Sequence, residues 1–143
     1  MQDDPFDLKR FQVAQMPVFE TAIKELRAGR KQSHWMWFVF PQLRGLGHSA
    51  NAERYGIASL EEARAYLAQP VLGKRLEFAT EIVLSQDPKA VRDVFGTPDD
   101  LKFHSCMSLF DVADGSAFSC FRSALTRWFD GKPDAGTARL LGL

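Results

Sequence analysis

The residue types that could do chemistry are concentrated in one block, SHWMWFVFPQLRGLG, residues 33–47. Six consecutive apolar residues, Trp35 to Phe40, stand between Ser33-His34 and Pro41-Gln42. A flat ligand could stack on Trp35, Trp37 and Tyr55, with His34, Gln42 and Arg44 supplying hydrogen bonds. The same aromatics serve equally well to fill a core. In either case an enclosed indole N–H needs an acceptor, so at least one Trp must lie beside a polar group. Ser33 next to His34 is not a nucleophile–base pair, because adjacent residues on a helix point in different directions. Gly45 and Gly47 match neither phosphate-loop spacing and read as a tight loop.

A second group lies at TPDDLK, residues 97–102. Asp99 and Asp100 first of all complement the positive end of a helix dipole. Beside a sugar-like ligand, one of them could instead stabilise positive charge at an anomeric carbon, and Lys102 could hold a phosphate. Four residues separate His104 from Ser108 and three separate Ser108 from Asp111, so all share one helix face. That face reads as a solvated polar stripe, with a cleft wall as the sharper alternative. The candidate binding set is therefore Ser33, His34, Trp35, Trp37, Gln42, Arg44, Tyr55, Asp99 and Lys102, with no nameable catalytic residue. The three His and two Cys, Cys106 and Cys120, have no metal-ligand spacing. No metal or other cofactor is expected. The two thiols read as reduced, small buried side chains.

The elements that must position these residues read as a series of short helices. The first covers 6–14. Pro17 suits the opening of a second, in which Val18, Ala22, Ile23 and Leu26 recur at helical spacing before Gly29. The basic cluster Lys24, Arg27, Arg30 and Lys31 reads as its solvated C-terminal end. Trp35 to Phe40, with Val39 as its one β-branched member, predicts a short helix buried on all sides. Ser59 with Glu62 forms a capping box opening a helix to Ala68. Pro70 restarts the chain, and Leu72, Leu76, Ala79 and Val83 make the next stripe. Asp87-Pro88 opens a short piece closed by Gly96. Thr97 and Pro98 then start a helix running to Ala113. Asp114-Gly115 turns, and Ser116 caps a helix with Phe118, Phe121, Leu125, Trp128 and Phe129 on one face. A last helix holds residues 137–141. No stretch alternates polar and apolar residues, so little or no sheet is expected. The fold class is mostly α: one domain, residues 1–143, with about six to eight short helices.

Bulk properties exclude several functions. Lys plus Arg equals Asp plus Glu, 18 each in 143 residues. A general nucleic-acid binder needs surplus positive charge, so nucleic acid is disfavoured as the partner. The apolar content of 45% favours a packed globule over disorder. The acidic, polar start is no signal peptide and the longest apolar run is too short for a bilayer. A cytoplasmic protein with no membrane partner is expected.

Taken in order, KQSHWMWFVFPQLRGLGHS, the YGI at Tyr55, EARAYL, PVLGKRL, FGTPDDLK and SCMSLF closely resemble a bacterial family known as domain of unknown function 1810. The resemblance runs from about Phe6 to Leu141. It implies a mostly helical single domain and no particular activity. Gln69 departs from it, since members often carry His before the Pro, and a role for that His does not transfer. The label calpastatin attached to some members is rejected, because such inhibitor segments are disordered and highly charged. LKFHSCMSLF followed by FRSALTRWF also resembles NADAR-type domains, associated with NAD and ADP-ribose chemistry. Two functions follow: binding of a nucleotide or ADP-ribose-like small molecule, with N-glycosidic hydrolysis as its reaction, or a non-enzymatic interaction module. A closed cleft joining His34 or Gln42 to Asp99 or Lys102 would mark the first, and an exposed apolar patch the second. Oligomeric state is not legible.

Overall fold

A computed structural model describes residues 3–143 and places ten helices among them, seven of seven residues or more. They are α1 (Lys9–Gln15), α2 (Phe19–Arg27), α3 (Met36–Val39), α4 (Ala50–Tyr55), α5 (Leu60–Ala68), α6 (Leu72–Gln86), α7 (Arg92–Phe95), α8 (Asp99–Asp114), α9 (Cys120–Trp128) and α10 (Ala135–Leu141). The described residues contain one isolated parallel bridge, Leu43 to Ile57, and no strand. The mostly α class is therefore correct.

α8 is the central element. Phe103, Cys106, Met107, Leu109 and Phe110 are fully buried on it, and α5, α7, α9 and α10 pack around it. A single apolar cluster joins Leu8 and Phe11 of the N-terminal part to Phe121 and Leu125 of α9. α6 closes the other side against α2, α5 and α9. Its Gly73 lets α6 approach α5: a Cβ there would lie 2.1 Å from the Leu67 carbonyl oxygen.

Several helix starts differ from the sequence reading. α1 begins at Lys9, not residue 6, because the Asp4 carboxylate accepts from the N–H groups of Leu8 and Lys9. Thr97 makes no cap; Pro98 is the N-cap and no side chain caps it. Ser119, not Ser116, caps α9 through Arg122 N–H (3.0 Å), while Ser116 Oγ accepts from Phe118 N–H in the preceding turn. Phe118 therefore lies outside the helix and is 94% exposed, whereas Phe121 and Leu125 are buried as the spacing predicted. Asp134 starts α10 two residues early by capping Thr137 N–H. The Ser59–Glu62 box forms as read, although the Glu62 carboxylate returns to Ala58 N–H rather than to Ser59. Both cysteines are free thiols.

Candidate functional site

The aromatic block is held by a carboxylate ten residues upstream. α2 brings Glu25 to the segment before α3, where it accepts from Gln32 N–H (2.7 Å), Ser33 N–H (2.8 Å), Ser33 Oγ (2.5 Å) and the Trp35 indole N–H (3.0 Å). Burial by itself raises the carboxyl pKa, but the Ser33, Gln32 and Trp35 donors outweigh it and hold the group at about 2. Trp35 is fully buried, so the required indole acceptor is found. The Ser33 hydroxyl is not activated by this pairing, because a carboxyl with a pKa near 2 is a poor base at neutral pH.

Lys31 ties this segment to α8. Its backbone N–H donates to Val94 O, and its Nζ donates to Ser33 O and pairs with Asp99 Oδ2 at 2.8 Å. The same ammonium lies 5.0 Å from the Trp35 ring centroid. Lys31 is thus buried and paired rather than part of a solvated basic end, unlike exposed Lys24 and Arg27. Lys102 Nζ pairs with Asp99 Oδ1 at 3.4 Å and sits 4.6 Å from the Trp37 ring centroid. Trp37 and Phe38 are half-buried, which corrects the expectation of burial on all sides. A four-residue helix has an outward face, and Lys102 covers Trp37 there while Tyr55 covers Phe38. His34 is exposed beside this corner. Asp100 is one residue from Asp99 but faces elsewhere on α8, as helical geometry requires, and its buried Oδ1 has no hydrogen-bond partner among the described residues.

Of the nine candidates, Ser33, Trp35, Trp37, Asp99 and Lys102 are linked through Glu25 and Lys31. Nothing local in the sequence marked Glu25. Lys31 was visible only as one member of a charge run.

Gln42, Arg44 and Tyr55 belong to a second neighbourhood. Ile57 N–H donates to Gln42 O and Arg44 N–H to Ile57 O, both at 2.8 Å. The Arg44 guanidinium donates to Glu53 O (2.9 Å) and Gly56 O (3.1 Å). Tyr55 packs edge-on against Phe38 at 4.8 Å. Arg44 lines a cleft of about 610 Å³ together with Arg10, Glu53, Arg54 and Glu62. Sequence reasoning missed Arg10, a buried guanidinium that donates to Phe6 O, Asp7 O, Arg54 O and Gly56 O and pairs with Glu62 at 2.8 Å. These bonds tie α1, α4 and α5 together.

The stripe on α8 is neither a solvated face nor a cleft wall. His104 stacks on Phe129 at 3.8 Å and its Nε2 meets Lys132 O. Buried Ser108 donates to His104 O and accepts from Asp134 N–H. Asp111 accepts from Arg122 Nε at 2.9 Å. The contacts with Lys132, Asp134 and Arg122 join α8 to α9 or to the segment leading into α10, while the bond from Ser108 to His104 O stays within α8.

The exposed aromatics lie elsewhere. Phe118 and Phe78, 94% and 45% exposed, line a groove of about 580 Å³ between α6 and the α8–α9 turn. Among the described residues, no helix is long and apolar enough to cross a membrane, and no group of three or more His, Cys, Asp and Glu side chains could hold a metal.

No curated protein matches the chain. Among solved structures it is similar to the conserved hypothetical protein Rv1873 from Mycobacterium tuberculosis, with 52% identity and a TM-score of 0.93 over 98% of this chain and 99% of that one. The model of a family described as protein of unknown function (DUF1810) matches residues 5–141, and the chain belongs to that family.

Proposed function

We propose that the chain is a non-enzymatic binding module, acting as one cytoplasmic unit over residues 1–143, whose working face is the groove along α6. The observation that carries this reading is Phe118, 94% exposed in a turn fixed by Ser116 and Ser119. Burying a Phe side chain is worth about 1.5–3 kcal/mol, and the fold forgoes that gain here. Large exposed apolar side chains grouped at a groove mark interaction sites. The sequence-derived polar candidates contrast with it, since Ser33, Arg44 and Asp99 spend their hydrogen-bonding groups within the fold. The test places photo-reactive benzoylphenylalanine at Phe118 and, as a control, at exposed Arg64 of α5. Irradiation of living cells is expected to give discrete adducts from position 118 and none from 64. Equal, diffuse labelling from both positions would overturn the reading.

A second reading rests on Trp37. Its half-buried face, the Lys102 ammonium 4.6 Å from its ring centroid and the exposed His34 could take a nucleotide or ADP-ribose-like ligand. N-glycosidic hydrolysis there would call on Asp99, which is already shared between Lys31 and Lys102. A bound ligand raises the melting temperature. ADP-ribose is expected to do so for wild type but not for Lys102→Met, and no shift in wild type would end this reading.

A further inference from the structure

We propose that the α6 face is occupied by a second copy of this chain, in a two-fold dimer whose axis runs along the ridge of α6. This rests on the interaction-module reading and names its partner.

α6 stands between two grooves that share Phe78. On one side, Glu77, Glu81 and Asp114 surround the groove that Phe118 overhangs, with Lys74 at its edge. Three carboxylates face one ammonium there; burial first, and then the charges of Glu81, Glu77 and Asp114, push the thiol of Cys120, a residue of this groove, up to about 12. On the other side lies a cleft of about 330 Å³, floored by Phe19, Ile23 and Phe78 and edged by Lys24, Arg27 and Glu20. Thus one flank is a projecting aromatic among acids, and the other is an apolar hole edged by two cations. The cleft is open to solvent, and a phenyl ring can lie across its apolar floor of Phe19 and Ile23.

A two-fold contact uses the same patch on both copies, so the patch must complement itself. An axis along α6 exchanges its flanks. Each copy's Phe118 then enters the partner's cleft over Phe19 and Ile23, and Glu77 and Glu81 face Lys24 and Arg27 of the other copy. Phe78 meets its own counterpart on the axis. The formal net charge of zero sets no long-range repulsion against self-association.

Sedimentation velocity of the purified full chain at micromolar concentration tests this. Wild type is expected to run as a dimer that loosens as salt rises, and Phe118→Asp as a monomer with an unchanged circular dichroism spectrum. Two charge-swapped variants, Lys24→Glu with Arg27→Glu and Glu77→Lys with Glu81→Lys, alter only exposed positions. Each is expected to be monomeric alone and dimeric when mixed with the other. A wild type that stays monomeric at high micromolar concentration overturns the proposal. So does a dimer that survives Phe118→Asp, or a mixture that fails to associate. A monomer that still cross-links from position 118 to another protein defeats the dimer and leaves the binding-module reading standing. A monomer without adducts defeats both.

Discussion

Glu25 shows how one half-buried carboxylate can organise an aromatic block. Its four donors fix the path of residues 32–35 and the rotamer of Trp35. Hydrogen bonds to a charged acceptor contribute about 1.5–3 kcal/mol. Glu25→Gln, which keeps the shape and loses the charge, is expected to cost about 1.5 kcal/mol near pH 7, the low end because the side chain is only half-buried. The pH dependence has a definite sign. The folded pKa of about 2 lies below the ordinary 4.5, so the stabilisation is complete above pH 4.5 and is lost as pH falls toward about 2. Urea midpoints of wild type and variant should therefore converge between pH 4.5 and about 2. A constant difference down to the acid limit would show that the charge is irrelevant. At this scale the need of a buried indole for an acceptor was legible, because it follows from Trp chemistry. The identity of the acceptor was not, because it depends on where the end of α2 meets a segment seven to ten residues later.

Helices were legible where a strong local device stands in the chain. Ser59 caps α5, Gly96 and Gly115 end α7 and α8 with positive φ, and the short helix within Trp35–Phe40 forms as read. The misreadings came from competing devices. Ser116 and Ser119 both suit a cap, and periodicity alone admitted Phe118 to the α9 stripe. Ser119 caps, the helix starts later, and Phe118 is left outside. The polar stripe on α8 failed for another reason: spacing shows that residues share a face, not what covers it, and α9 with the 129–134 segment covers this one. Gly73 offers a test of the α5–α6 contact. Alanine should gain about 1 kcal/mol of helix propensity. Its Cβ would, however, meet the Leu67 backbone oxygen at 2.1 Å, which no rotamer change relieves. The clash prevails, and Gly73→Ala is expected to destabilise by about 3 kcal/mol, the upper end of the overpacking range. An unchanged or raised urea midpoint would mean that α6 does not lie this close to α5.

For the molecule as a whole, the polar groups that looked chemical in the sequence are largely consumed in holding helices together. Lys31, Asp99 and Lys102 join the aromatic block to α8, Arg10 and Glu62 join α1 to α5, and Asp111 joins α8 to α9. The most exposed large apolar side chain among the described residues, Phe118, is left uncovered beside the α6 face. Hydroxyl-radical footprinting tests that claim most directly, because oxidation of a side chain tracks its exposure to solvent. Phe118 and Met16, 94% and 77% exposed, are to be compared in intact cells and in purified protein diluted until it sediments as a monomer. The account predicts that oxidation of Phe118 falls severalfold in cells while that of Met16 does not. Equal oxidation of Phe118 in both settings would mean that nothing covers the α6 face, and would contradict the account.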